Sequence, residues 1–389
     1  MLLTLRQQLT KFAHMLQDEL FPTVEAEVGE LSEQAKRLTT VLAMIPLRRF
    51  VPVSRGWNGR PPKDRYCIAC AYVAKVVYNF PETRHLIERL QSDPQLRTVC
   101  GWKPQEKLPH ESTFSRAFAE FAEMELPQFV HEALIRDTQK DRLVGHIARD
   151  STAIEVRERF KDSAAKRKAK EEKRKAKKAK KNKKVRSGSP RSGQQLKKEK
   201  TRLQRQREMT VPEMLDELPR QCDIGVKTSS KGHPQHWRGY KLHLDVADGQ
   251  IPISAVLTSA SVHDSQVAIP LAAITAQRVI SLYDVMDSAY DAREITDHSR
   301  SLGHVPIIDP AQRVGPRRSV IGPFKQPRQF TPAEEERFKE RTMIERVNGR
   351  LKDEFGGRFI RVRGAAKVMA HLMFGVLVLT VDQLMRLSE

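Results

Sequence analysis

Cysteine is scarce in this chain of 389 residues, and Cys67, Cys70, Cys100 and Cys222 are too few to build a disulfide framework. That scarcity fits a reducing compartment. Glycine is sparse as well, and its 19 residues exclude a collagen-like chain. Long uninterrupted apolar runs are missing. The most apolar window, 366–387, is broken by Lys367, His371, Asp382 and Arg386, so no membrane span and no membrane partner are expected. The first twenty residues mix Arg6, Lys11, Asp18 and Glu19 into their apolar positions and do not read as a secretory signal. Apolar residues overall are not lacking: 39% of the chain is hydrophobic, which excludes wholesale disorder. At ~150 residues per domain, two to three domains are expected.

Positive charge is abundant. Lys and Arg number 69 against 48 Asp and Glu, a formal net charge of +21. Its placement is uneven: residues 161–210 hold 22 basic and 5 acidic residues, and the remaining 339 are close to balanced at +4. The body therefore reads as an ordinary cytosolic globule carrying one cationic segment, whose partner is a polyanion, nucleic acid foremost. Like charges repel within the segment, so disorder is the default, with helix as the form a polyanion would induce. A solvated run without a role is the plainer alternative, but at this density phosphate contacts are expected. Such contacts add affinity and salt dependence without sequence preference.

Cys67-Ile-Ala-Cys70 has the spacing of a metal knuckle but lacks a second close ligand pair, and it runs into apolar Ala71, Tyr72, Val73 and Ala74. Both cysteines read as buried thiols on a helix. Residues 1–50 carry helical periodicity, 56–63 reads as a loop, and 66–135 is again helical, cut by Pro81, Pro94, Gly101 and Pro109. Within it, a capped helix opening near Ser112 and bearing Arg116 is compatible with a DNA-reading helix-turn-helix. A plain helical bundle explains the same segment and is preferred on its pattern alone.

The pattern changes at residue 143. Strands are expected over 144–151, 240–246, 251–258, 281–287 and 304–308, with helices over 264–277, 291–302, 334–355 and 365–387. This is an α/β pattern with a mixed sheet and helices on its faces. The sheet begins before the cationic tract, so the tract is an insertion within one domain.

Three carboxylates stand out. Asp150 and Asp287 are expected at strand ends, where α/β folds place ligand-binding groups, although strand-terminal acids are often only turn formers. Glu345 lies on the helix expected over 334–355. With Arg341 at 0° and ~100° per residue, Lys352 falls at ~20°, Glu345 at ~40°, Phe338 at ~60° and Gly349 at ~80°. Met343, Ile344, Val347 and Leu351 form a separate apolar stripe. One face is thus set to bury itself while the other presents an acid, two bases and a ring, with Gly349 suited to a close backbone approach. An Arg341–Glu345 surface pair is the competing reading.

In this order and context the motifs resemble a bacterial insertion-sequence transposase of the DDE class, in the superfamily formed by insertion-sequence types four and five. Phe338, Arg341, Glu345 and Lys352 resemble that family's Tyr-x2-Arg-x3-Glu-x6-Lys signature. Asp150 resembles its first catalytic Asp, and Asp287-Ser-Ala-Tyr290-Asp291 its second, in preference to Asp284. The segments around Lys241 and His243, 249–252 and Val262-His263-Asp264-Ser265 resemble the connection between them, and 96–116 resembles the family's helical N-terminal region. Phe in place of the usual Tyr removes a phenol hydrogen bond to DNA. Only 58 residues separate Asp287 from Glu345, too few for the large β insertion of some relatives.

The resemblance implies an RNase H-like catalytic domain over 143–389, interrupted by the basic insertion at 158–215, behind a helical DNA-binding and dimerisation domain over 1–135. It implies that Asp150, Asp287 and Glu345 are catalytic and hold two Mg²⁺ or Mn²⁺ ions. Phe338, Arg341, Lys352 and Arg116 would face double-stranded DNA, at element ends and at the target, while His243, His263 and Asp264 would support the acids rather than move protons. A homodimer acting on bacterial DNA in the cytoplasm follows. A nuclease on the same fold that cuts without joining, and a non-catalytic DNA-binding repressor, are the alternatives; an RNA-binding reading of the tract ranks last, because no aromatic platform lies near it. If the tract supplies non-specific affinity, deleting 161–210 flattens the salt dependence of DNA binding, read as the slope of log affinity against log salt.

Overall fold

The computed structural model describes residues 4–51, 63–103, 105–140, 142–158, 200–228, 233–313, 324–325 and 330–388. Most of the loop expected at 56–63, and the cationic tract over 159–199, lie outside the described residues.

The N-terminal part is a bundle of eight helices among the described residues: α1 (Leu5–Met15), α2 (Phe21–Val28), α3 (Glu33–Met44), α4 (Arg65–Val77), α5 (Thr83–Ser92), α6 (Pro94–Val99), α7 (Glu111–Glu123) and α8 (Leu126–Gln139). Side-chain caps set several starts: Thr4 and Gln7 form a reciprocal box on α1, Ser32 caps α3, Asp64 caps α4 and Asp93 caps α6. Helix α4 is buried from Cys67 to Val77, because the bundle wraps it on all sides. Burial pushes the thiols of Cys67 and Cys70 up to about 12, as fits the buried-thiol reading. Helix α7 buries Phe114, Ala117, Phe118 and Phe121 within this bundle.

The sheet has six strands: β1 (Leu143–Glu155), β2 (Asp223–Thr228), β3 (Pro234–Ala247), β4 (Ile251–Ser259), β5 (Ile280–Met286) and β6 (Val305–Ile308). Their order is β2–β3–β1–β5–β6, with β4 also on β3. Strands β1, β2 and β4 run antiparallel to β3, while β5 is parallel to β1 and β6 to β5. Strand β3 serves β2 with its first half and β4 with its second, and Gly239 sits at the change, at φ +152°. A Cβ there would collide with the carbonyl oxygen of Ile154, so β1 and β3 meet only because this residue is glycine.

Helices α9 (Arg202–Gln206) and α10 (Val211–Asp216) precede β2. They lie inside the insertion expected over 158–215 and pack through Met214, Leu215 and Leu218 against α11 (Ser265–Ala276), one of two helices on this face of the sheet with α12 (Arg293–Ser301). Their signals are the capping boxes Thr201–Gln204 and Thr210–Glu213, overshadowed in the sequence by the charge around them. The deletion that isolates the tract's charge therefore stops at residue 199. The opposite face carries α13 (Pro332–Lys339), α14 (Met343–Asp353) and α15 (Ala365–Arg386).

The single helix expected over 334–355 is two helices joined by a 3-10 turn at Glu340–Thr342. The 100° step does not hold through that turn, and Phe338 leaves the polar stripe. It is buried with Val285 and Ile307 against Phe330, so it faces the sheet and not DNA. Helix α15 is long and apolar enough to cross a membrane, but its apolar sides are buried against the N-terminal bundle, β4 and α14.

Gly349 does not mediate the close approach expected of it; nothing lies within 4 Å of a Cβ built there. Gly375 has that role, since its Cβ would stand 2.6 Å from the Phe355 carbonyl oxygen and 2.9 Å from Leu351 Cδ1, where α14 crosses α15. Gly349→Ala is expected to stabilise the protein by ~1 kcal/mol in urea unfolding. Gly375→Ala is expected to destabilise it by about 1–3 kcal/mol in the same measurement.

Candidate active site

Asp150 does not end its strand, because β3 keeps β1 paired through Glu155. What ends near it is the parallel pairing with β5, whose last match is Arg149 to Met286. The next residues are Asp150 and Asp287, so the two carboxylates follow at neighbouring positions on adjacent strands. Successive residues of a strand point to opposite faces. Arg149 therefore points to the side of α11 and α12, and Asp150 to the side of α14. Asp287 leaves β5 as the N-cap of a 3-10 turn, Ser288–Tyr290, and its Oδ1 accepts the Ala289 N–H at 2.9 Å.

Beneath the acids lies a buried polar network. Arg149 Nε donates to Asp245 Oδ1 at 2.8 Å and its Nη2 to Asp245 Oδ2 at 2.7 Å. Thr275 Oγ1 donates to the same carboxylate at 2.6 Å, and Asp284 lies 3.9 Å from the guanidinium. Ser299 and His304 hold Asp284 at 2.5 and 3.2 Å. Arg149, Asp245 and Asp284 are 2%, 0% and 1% exposed, so these charges are solvated by each other and by Thr275, Ser299 and His304 in place of water. The network ties β1, β3 and β5 together one residue from Asp150.

The acids feel one another. Burial, then Asp287 and Asp264, push the Asp150 carboxyl up to about 6, against the Ser151 backbone and Lys227. Asp287 is raised by burial and by Asp264, against Arg341 and Lys227. Asp264, which burial alone would raise, is held below the usual range by His243 and Lys241, with Lys241 Nζ at 2.9 Å. His243 is fully buried; its Nε2 meets Thr258 Oγ1 at 2.9 Å and its Nδ1 lies 4.0 Å from Asp264. Burial lowers this imidazole to about 4, which keeps it neutral and suits it to positioning Asp264. His263 points to Ser265 at 2.8 Å on an exposed turn.

Helix α14 buries Met343, Ile344, Val347 and Leu351 against the sheet and leaves Glu345 on its outer side. The Glu345 side chain is 58% exposed and pairs with Arg341 Nη2 at 3.3 Å. Lys352 is half-buried and lowered by burial and by neighbouring Arg358 and Lys227. Lys227 and Lys241 are basic residues of this region that the motif argument did not assign. Lys227 sits on an edge strand with no apolar alternation to mark it, whereas Lys241 was visible as a charged position in a half-buried strand. Arg116 is exposed on α7, 3.5 Å from Thr113 Oγ1.

Among the described residues no three Asp, Glu, His or Cys side chains gather closely enough to ligate one ion. Asp150 and Asp287 fit a hard divalent cation: two neighbouring carboxylates whose charged forms burial and the nearby Asp264 disfavour, so that a cation between them would relieve that cost. Mg²⁺ commonly takes one or two carboxylates and completes its shell with water and phosphate oxygens. Glu345, paired with Arg341, does not join them in this arrangement.

Residues 144–381 match a family described as Transposase DDE domain, and residues 26–120 match one described as Transposase domain (DUF772). No curated protein and no solved structure matches the chain. The first match begins in β1 and ends in α15, so it takes in all six strands and every acid discussed above.

The buried pair yields a stability test. Arg149→Met leaves the buried Asp245 without its partner and is expected to cost about 3–5 kcal/mol in urea unfolding.

Proposed function

This chain belongs to the insertion-sequence DDE transposase family, and we propose that it cuts the ends of its element and joins the freed 3′-hydroxyls to target DNA. The observation that carries the reading is the placement of Asp150 and Asp287 directly after the last matched pair of β1 and β5, on the side of the sheet where the turn before α14 carries Arg341 and α14 carries Glu345 and Lys352. In the first step a water oxygen attacks the phosphorus at the element end, the bond to the 3′-oxygen breaks, and a 3′-hydroxyl and a 5′-phosphate result. In the second, that 3′-hydroxyl attacks a target phosphodiester and displaces the target's own 3′-oxygen. Asp150 and Asp287 would hold a divalent cation, which would supply the Lewis acidity such transfers need.

The chain's own residues bind and orient. Arg341 suits a phosphate by its forked donors, and Lys352 and Lys227 add positive charge beside the acids. A phosphate that takes the Arg341 guanidinium releases Glu345 from its ion pair, and the freed carboxylate then completes the acidic site. His243 and Lys241 hold Asp264 in place. The helical region over 1–135 is assigned to DNA binding and dimerisation, since two ends are cut and joined in concert and two copies of the site are needed. The place of action is the cytoplasm, where the bacterial DNA lies.

The test is incubation of the protein with labelled element-end DNA and Mg²⁺ or Mn²⁺. Wild-type protein is expected to give 3′-end cleavage and joined products. Asp150→Asn, Asp287→Asn and Glu345→Gln are each expected to lose at least about a hundredfold in rate, the scale of losing one electrostatic catalytic group. Nicking without joining would instead indicate a nuclease, and end-specific binding with no cleavage in either metal a repressor.

A further inference from the structure

Lys75 is an unusual residue. It lies on α4, is 9% exposed, and has no ion-pair partner within 4.0 Å among the described residues. It lines a cavity of about 420 Å³ where α4, α7, the segment 361–363 and the start of α15 meet. Arg361, Arg363 and Lys367 line the same cavity, with Glu111 as its acid. Glu82, beside it, is engaged by Arg361 at 3.3 Å. His371 on α15 contributes no charge: its Nε2 meets the Gly356 carbonyl at 3.0 Å, and burial and Lys75 lower it to about 4. Helix α15 begins without a side-chain cap, so its N-terminal dipole adds to the positive field.

Holding a positive charge in this cavity is costly: burial outweighs the attraction of Glu82 and lowers the Lys75 ammonium to about 8. An anion seated in the cavity would remove that cost. The cavity is not isolated. Arg361 and Arg363 also line a neighbouring hollow of about 400 Å³ with Arg84 and Arg157. Arg157 and Arg361 continue into a third of about 300 Å³ with Arg358 and the exposed Phe359. Glu82, Glu111 and Glu155 line this path, and Glu88 and Asp353 pair with Arg84 and Arg358, while Lys75, Arg157, Arg361, Arg363 and Lys367 complete its bases. Arg358 in turn acts on Lys352 together with Lys227, and Lys227 acts on Asp150 and Asp287. The three adjoining hollows thus form one basic groove from Lys75 to Arg358.

We propose that this groove carries the sugar–phosphate backbone of DNA away from the cut, and that the Lys75 cavity seats one of its phosphates. The inference rests on the transposase reading for the identity of the polyanion. Spacing supports a backbone: Arg361 and Arg363 alternate along one segment, and Arg157 and Arg358 prolong the line, while neither Asn nor Gln lines the three hollows.

The test uses the full chain and a labelled element-end duplex, with affinity measured by fluorescence anisotropy over a salt series. Lys75→Met is expected to weaken binding roughly tenfold, the scale of one charge-assisted hydrogen bond, and to lower the salt slope by about one. Lys75→Arg is expected to keep both. Without DNA, Lys75→Met should melt no lower than wild type, because an unpaired buried charge has been removed. Arg363→Gln, exposed at the rim, is expected to lower the slope in the same way and serves if Lys75→Met fails to fold. Wild-type affinity and slope in both variants would overturn the proposal while leaving the transposase reading intact. Absence of DNA binding by wild type would defeat the transposase reading first. Inorganic phosphate that raises the melting temperature of wild type but not of Lys75→Met, with DNA binding unchanged, would assign the cavity to free phosphate and overturn the proposal.

Discussion

A buried guanidinium with two short bonds to one carboxylate fixes the strand register that brings Asp150 and Asp287 together. Arg149 and Asp245 lie on neighbouring antiparallel strands at directly matched positions, and Asp284 approaches from the parallel strand on the other side. Ions this deeply buried are tolerated only when every donor and acceptor is used, and here Thr275, Ser299 and His304 take up the remaining capacity. A slip of one residue in β1 would separate the pair and turn Arg149 to the wrong face. The network therefore sets register more than it adds stability, and register is what a site built on two strands requires.

Asp150 and Asp287 inherit that register. They share a face because Arg149 and Met286 are matched, and they face α14 because Arg149 faces away from it. The third acid belongs to another element and follows another rule. Glu345 lies on a helix whose apolar stripe docks on the sheet, and its side chain is spoken for by Arg341 one turn earlier. The site is thus a rigid pair of aspartates with a third carboxylate held in an ion pair, in a chain whose surroundings are basic. In the proposed function a phosphate arriving at Arg341 would compete with Glu345 for the same guanidinium, which would link binding of the polyanion to completion of the site.

Much of this was legible in the residues. The alternation of β3 and β4, the apolar run of β5 and the stripe of α14 are direct consequences of period, and they placed Asp150, Asp287 and Glu345 on the right elements. The parts that escaped have physical reasons. Strand β2 has exposed Ile224 and Val226 on a sheet edge, with Gly225 packed under Trp237, so no buried face patterns it. Helices α9 and α10 are held by capping boxes and a few apolar contacts in a stretch dominated by charge. The break at Glu340–Thr342 carries no proline or glycine to mark it, and it is what turns Phe338 into the core. Arg149 looked like any surface arginine; only a partner 96 residues away makes it the centre of the sheet. Gly375, not Gly349, makes the close crossing, because contact between helices depends on which face meets a neighbour and not on composition.

The central claim is that the two aspartates form the cation site alone and that Glu345 joins only when a phosphate has taken Arg341. Mn²⁺ binding followed by electron paramagnetic resonance, without DNA and then with a cleaved element-end duplex, tests it directly. The account predicts that Asp150→Asn and Asp287→Asn abolish binding in both conditions, whereas Glu345→Gln weakens it only when DNA is present. Loss of Mn²⁺ binding in Glu345→Gln without DNA, or its retention in Asp150→Asn, would contradict the account.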